Sequence, residues 1–139
     1  MLSHEQRELA DWLRTLGCDA WGTWTFGPKW PSGPSPVSVE RHVKAWISAW
    51  RLAPAFMVVE AGTAGTGRYH AHGLLTTRGQ RRVALWADWW RRYGRCEFRP
   101  LVPDDDDGLQ LYVTKYCCKR TMDGHVLPMR WWVTQDGRW

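Results

Sequence analysis

The sequence predicts an α+β sandwich: a central antiparallel sheet of about five strands with helices flanking it. Three observations predict it. Short stretches rich in aromatic and β-branched residues alternate with stretches whose apolar residues recur at helical spacing. Two of the short stretches are separated only by a Gly-rich turn, which suits an antiparallel hairpin and not a parallel crossover. The chain of 139 residues, with neither internal repeat nor linker, has the length of one domain, spanning residues 1–139.

Each element follows from local chemistry. Ser3 followed by Gln6 forms a capping box, opening a helix that runs to about Gly17. Residues 20–26 (AWGTWTF) read as a strand. Residues 27–36 (GPKWPSGPSP) form a loop, because Pro and Gly break both regular structures. Ser38 is the expected cap of a second helix, in which Val39, Val43, Trp46, Ile47 and Trp50 share one face. Pro54 ends it. Residues 55–61 (AFMVVEA) and 69–76 (YHAHGLLT) read as the hairpin strands, joined by a turn at 62–67 (GTAGTG). Residues 83–93 form a third helix and 96–102 a strand. The Asp run at 104–107 reads as a solvated loop ahead of a fourth helix, residues 108–120, whose N-terminus favours negative charge. A last strand falls within 126–134. The middle of this order is βαββαβ, the split βαβ arrangement of a ferredoxin-like sandwich.

Composition narrows the partners. Lys and Arg outnumber Asp and Glu by 19 to 14, a formal charge of +5. That balance favours a polyanion, with nucleic acid ahead of an anionic membrane surface. The cations are mostly Arg, whose planar fork suits phosphate. No apolar run is long enough to span a bilayer, and the N-terminus lacks the apolar core of a signal peptide. No membrane partner is expected. Cys18, Cys96, Cys117 and Cys118 include an adjacent pair and no C-x-x-C, so neither a disulfide framework nor a zinc ribbon is signalled. A reducing cytoplasm is the simplest setting.

Two groups of residues can carry chemistry. His70 and His72 are two apart on a strand, so both imidazoles point to one face. If the turn is centred near Gly65, Glu60 lies opposite His70 on the partner strand, with Cβ atoms roughly 5 Å apart. Two imidazoles and a carboxylate suit a divalent ion such as Mn²⁺ or Mg²⁺ and leave positions open for substrate oxygens. A bare H-x-H also arises where one histidine is exposed and the other hydrogen-bonded in place. The second group lies on the fourth helix. Tyr112, Lys115, Tyr116 and Lys119 fall within one stripe about 100° wide. Tyrosines there share a cationic face, which places a hydroxyl nucleophile beside positive charge. Lys stems packed over Tyr rings on a solvated helix would look the same.

Taken together, WGTWTF, VVE ending at Glu60, RYHAHGLL around His70 and His72, and YVTKYCCK ending at Lys119 resemble the HUH endonucleases. They are most similar to the rolling-circle replication initiators (Rep proteins) of phages and plasmids. The resemblance covers residues 21–119 in the family's motif order. It implies metal-dependent, site-specific nicking and joining of single-stranded DNA through a 5′-phosphotyrosine. It implies metal ligands Glu60, His70 and His72, with Tyr116 as the primary nucleophile and Tyr112 as the second. Lys115 and Lys119 would neutralise the phosphate or lower the tyrosine pKa. The implied partners are single-stranded DNA or an origin hairpin, with a separate helicase and polymerase, since no G-x-x-x-x-G-K-[ST] phosphate loop is present. The implied setting is the cytoplasm of a bacterial or archaeal host.

Arg68, Arg78, Arg81 and Arg82 are candidate phosphate contacts, and Trp30 in the Pro-rich loop a candidate base-stacking residue. Most of the other tryptophans, Trp12, Trp46, Trp50, Trp86 and Trp89 among 12 in all, are expected to pack against the sheet. Two further readings compete. One is a small transposase or relaxase-like strand transferase of the same superfamily, which the paired tyrosines disfavour. The other is a non-catalytic single-stranded nucleic-acid-binding module on the same scaffold.

Overall fold

A computed structural model describes residues 3–27, 30, 33–61, 68–101, 108 and 130–139. Among them are three helices and five strands: α1 (His4–Thr15), β1 (Ala20–Trp24), α2 (Pro36–Trp50), β2 (Ala55–Ala61), β3 (Tyr69–Leu75), α3 (Arg82–Arg92), β4 (Cys96–Pro100) and β5 (Arg130–Thr134). The strands form one sheet in the order β4-β1-β3-β2-β5, and every pairing is antiparallel. The expected α+β sandwich with a five-stranded antiparallel sheet is therefore present. The fourth helix expected over 108–120, with Tyr112, Lys115, Tyr116 and Lys119, lies outside the described residues apart from Gly108.

The helix caps follow local sequence, with one correction. Ser3 accepts from the Gln6 backbone N–H, and the Gln6 side chain accepts from the Ser3 N–H, completing the capping box of α1. The cap of α2 is Ser35, not the expected Ser38. Pro36 explains the shift: its fixed φ and missing N–H suit the first helical turn, so the helix starts three residues earlier. Ser35 Oγ accepts from the Ser38 N–H at 3.1 Å.

The two faces of the sheet have separate cores. On one face Trp24, Met57, Val59, Ala71 and Leu75 pack beneath α2 and α3 through Val43, Trp46, Ile47, Leu85 and Trp89. On the other, Phe56 and Leu74 pack beneath Ala10, Leu13 and Leu16 of α1 and its following turn. Trp24 is fully buried. Its indole lies over the directly paired glycines Gly22 and Gly73. A Cβ at Gly73 would sit 2.3 Å from the Phe56 carbonyl oxygen and 2.9 Å from the Trp24 ring. Only a hydrogen at that position lets the indole seal the sheet beside the histidine strand.

The tryptophan expectation needs correction at one position. Trp46 and Trp89 are buried, Trp50 is partly buried, and Trp12, though 36% exposed, meets Phe56 and Trp131 of the sheet with ring centroids 6.4 and 5.8 Å apart, but Trp86 is 43% exposed. On α3 only Leu85 and Trp89 are buried, so the turn of the helix carries Trp86 away from the core. Trp131 and Trp132 point to opposite faces, as adjacent strand residues must: Trp131 is 48% exposed, whereas Trp132 packs on the α2 core beneath Lys44.

Three indoles of the α2/α3 core have acceptors for their N–H groups. Trp46 and Trp50 both donate to Asp88 Oδ2 at 2.9 Å, and Trp89 donates to the Thr25 carbonyl. Burial alone would push the Asp88 carboxyl up. Hydrogen bonds from Trp50, Arg91, Trp46 and Arg92 outweigh it and hold the group well below the usual carboxylate range. Cys18 and Cys96 are free, buried thiols, and burial pushes both up to about 12. No helix among the described residues is long and apolar enough to cross a membrane.

Candidate metal centre

The strand period decides which side chains meet. On β3, His70, His72 and Leu74 share one face, and on β2, Phe56, Val58 and Glu60 share the same face. The β2–β3 register pairs Glu60 with His70 and Val58 with His72, the alignment expected from the hairpin turn. Helix α1 covers the Phe56 and Leu74 end of this face. The cluster of Glu60, His70 and His72 lies farther along the same two strands.

The cluster is compact and enclosed. Glu60 Oε1 lies 3.0 Å from His70 Nε2 and 2.8 Å from His72 Nε2. Side-chain exposure is 18% for His70, 8% for Glu60 and 7% for His72. The two imidazoles stand nearly perpendicular, with centroids 4.7 Å apart.

The other ring nitrogens orient the rings. His70 Nδ1 is 3.4 Å from the Arg68 carbonyl oxygen, and His72 Nδ1 is 3.1 Å from Thr23 Oγ1. A carbonyl and a carboxylate oxygen both only accept, so a neutral His70 ring, with one proton, satisfies one of them and not both. With that proton on Nδ1, an Nε2 lone pair faces the carboxylate. Lone pair against carboxylate oxygen at 3.0 Å is repulsive unless a positive charge lies between them. A proton on Nε2 satisfies this, and so does a cation.

The donor set fits a divalent ion. One ligand atom from each of Glu60, His70 and His72 lies within 4.8 Å of the others. Metal–ligand bonds of about 2.0–2.2 Å draw such atoms to roughly 3 Å from one another. Each histidine presents one nitrogen to the shared point and gives the other to a partner, the arrangement that fixes tautomer and orientation around metals. The group can hold a metal ion. Borderline nitrogen donors with one hard oxygen admit Mn²⁺ and several other first-row ions.

The remaining candidates are spread out. Arg68 is two residues before His70, but its Nη2 donates to the carbonyls of Phe26, Gly27 and Trp30 at 2.9, 3.2 and 2.7 Å. It fastens the loop after β1 to the start of β3. Trp30 packs edge-on against Phe26 and His42 on the α2 side. Arg78 donates to the Ala53 carbonyl. Arg81 and Arg82 are exposed at the start of α3, beyond the far end of β3 from His70. Thr23 was not among the sequence candidates. Its signal is the alternation in WGTWTF, which puts Trp21 and Thr23 on the histidine face once β1 pairs with β3.

Comparison of the chain with protein-family models, with curated proteins and with solved structures finds no match.

Proposed function

We propose that the protein is a metal-dependent endonuclease and strand transferase that nicks and joins single-stranded DNA through a tyrosine. The observation that carries this reading is the convergence of Glu60, His70 and His72 on one face of the paired strands β2 and β3. The tyrosine half is carried by the sequence: Tyr112, Lys115, Tyr116 and Lys119 repeat as Y-x-x-K-Y-x-x-K. The resemblance of these motifs to rolling-circle initiators supports single-stranded DNA as substrate, as does the charge of +5.

A bound Mn²⁺ or Mg²⁺ ion would polarise the scissile phosphate and offset charge on the departing oxygen. The chain's own residues do the rest. Thr23 and the Arg68 carbonyl hold the histidine rings in place. The Tyr116 hydroxyl attacks phosphorus, forming a P–O bond and releasing its proton. The bond from phosphorus to the 3′ oxygen breaks, and that oxygen leaves with the electron pair and takes up a proton. The phosphotyrosine keeps the phosphoester linkage for rejoining, where a free 3′ hydroxyl reverses these steps. Lys115 and Lys119 stabilise the tyrosinate or the phosphate charge. Tyr112 supplies a second transfer.

The test is incubation with single-stranded oligonucleotides and Mn²⁺, with and without chelator. A covalent protein–DNA adduct that chelator abolishes is expected. Its absence across origin-type and transposon-end hairpins removes the reading in favour of a non-catalytic binding module. Adduct on transposon ends alone selects the strand-transferase alternative.

A further inference from the structure

Helix α3 is apolar on the wrong side for a helix that only covers a sheet. Its buried residues are Leu85 and Trp89. At 100° per residue, Val83, Trp86, Ala87 and Trp90 fall in a second stripe about 100° wide. All four are exposed, Val83 by 57%, Trp86 by 43% and Trp90 by 51%. Trp86 and Trp90 stack on one another, with centroids 5.5 Å apart and planes 20° from parallel. An apolar stripe of this kind marks a contact surface.

The charge around the stripe selects its occupant. Arg82 flanks one side and Arg91 the other. Exposed Arg81 and Arg82 line a groove of about 530 Å³ at the start of the helix, with Gln80, Thr77 and Asp19, whose carboxylate oxygens accept from the Thr77 N–H and hydroxyl. Asp88, the acidic residue of α3, is turned inward, and its oxygens are engaged by Trp46, Trp50, Arg91 and Arg92. A second copy of α3 would bring cation against cation. A polyanion with flat apolar faces matches both the arginines and the indoles.

We infer that the α3 ridge is a docking surface for single-stranded DNA, with bases stacking on Trp86 and Trp90 and phosphates held by Arg81 and Arg82. Flat indoles accept any base, so the surface is sequence-tolerant. It lies on the α2/α3 side of the sheet, whereas Glu60, His70 and His72 occupy the other side. The ridge therefore holds DNA away from the metal centre, and this inference goes beyond the nicking reading and does not depend on it.

The test is fluorescence anisotropy of a labelled 20-nucleotide oligothymidylate with the full chain in chelator. Trp86→Ala/Trp90→Ala should weaken binding at least tenfold, since each stacked base contributes a factor of roughly 5 to 150. Trp86→Phe/Trp90→Phe should retain most of the affinity. Arg81→Gln/Arg82→Gln should lower the slope of log Kd against log salt by about 1.4. Circular dichroism and melting confirm that the variants are folded; if the alanine pair is not, the phenylalanine and glutamine pairs carry the test. Unchanged affinity in the alanine and glutamine pairs overturns the inference. So does equal competition by polyglutamate, which points to charge alone, or a wild-type dimer that the tryptophan variant dissociates. The two readings separate cleanly. His70→Ala/His72→Ala abolishes the adduct but keeps oligothymidylate affinity if both hold. Ridge-dependent binding without any adduct sinks only the nicking reading. Adduct formation with affinity indifferent to the ridge sinks only this one.

Discussion

Replacing Glu60 by Gln tests the metal centre directly. The substitution keeps the shape of the side chain and one oxygen near the two Nε2 atoms, but removes the negative charge. In metal-free protein the cost is that of altered hydrogen bonding to a charged group, about 2 kcal/mol. The decisive measurement is the change on adding metal. A ligand that binds only the folded state at 100 times its Kd stabilises it by about 2.7 kcal/mol. For 139 residues, an unfolding entropy of about 2.1 cal/mol/K per residue turns this into a rise in Tm of roughly 9 °C. Loss of one of three protein ligands, taken as about a 100-fold drop in affinity, leaves about 0.4 kcal/mol and a rise of 1–2 °C at the same Mn²⁺ concentration. Differential scanning calorimetry over a Mn²⁺ titration reads both values. Equal shifts in wild type and Glu60→Gln would show that the ion binds elsewhere. No shift in wild type at millimolar Mn²⁺ would refute the centre altogether.

Three further outcomes follow. Tyr116→Phe should abolish the covalent DNA adduct in a denaturing gel; an adduct retained there and lost in Tyr112→Phe would reverse the two tyrosines. Gly73→Ala should destabilise the fold by about 3 kcal/mol in urea unfolding, because the new methyl meets backbone at Phe56 and a fully buried indole. Asp88 has a folded-state pKa below its unfolded value. Its contribution is present above about pH 4 and is lost as pH falls further toward the folded pKa. Asp88→Asn should cost about 2 kcal/mol at pH 7 and flatten acid unfolding below pH 4, while an unchanged acid limb would show that another group controls it.

What was legible in the sequence was local. The pairing of Glu60 with His70 needs only the period of a strand and the length of one turn, and the structure has that register. The capping box at Ser3 is likewise a four-residue pattern. The Ser35 cap is equally local: Ser38 also stands ahead of the apolar run, but Pro36 favours the first helical turn and moves the cap to Ser35. The contact between Thr23 and His72 spans 49 positions and depends on β1 pairing with β3, which no local pattern reveals. Helix α3 was ambiguous for a different reason. Leu85 with Trp89 and Val83 with Trp86 and Trp90 are both apolar stripes, and periodicity does not say which one the sheet will take. The role of Arg68 was hidden because a guanidinium suits carbonyl oxygens as well as phosphate.

The three candidate ligands are separated by only ten and twelve positions, within one hairpin. The frame around them is assembled from distant pieces: β1 pairs residue 20 with residue 100, and β2 pairs residue 55 with residue 134. The candidate ligands and most of the frame are thus written in different parts of the chain, with Thr23 of β1 reaching from the frame to His72. Forming such a hairpin takes microseconds, whereas pairing strands eighty residues apart is slow. The donor triad can take shape in the nascent hairpin before the sheet is complete, and damage to the outer strands β4 or β5 would lower the protein's lifetime without redrawing the ligand positions.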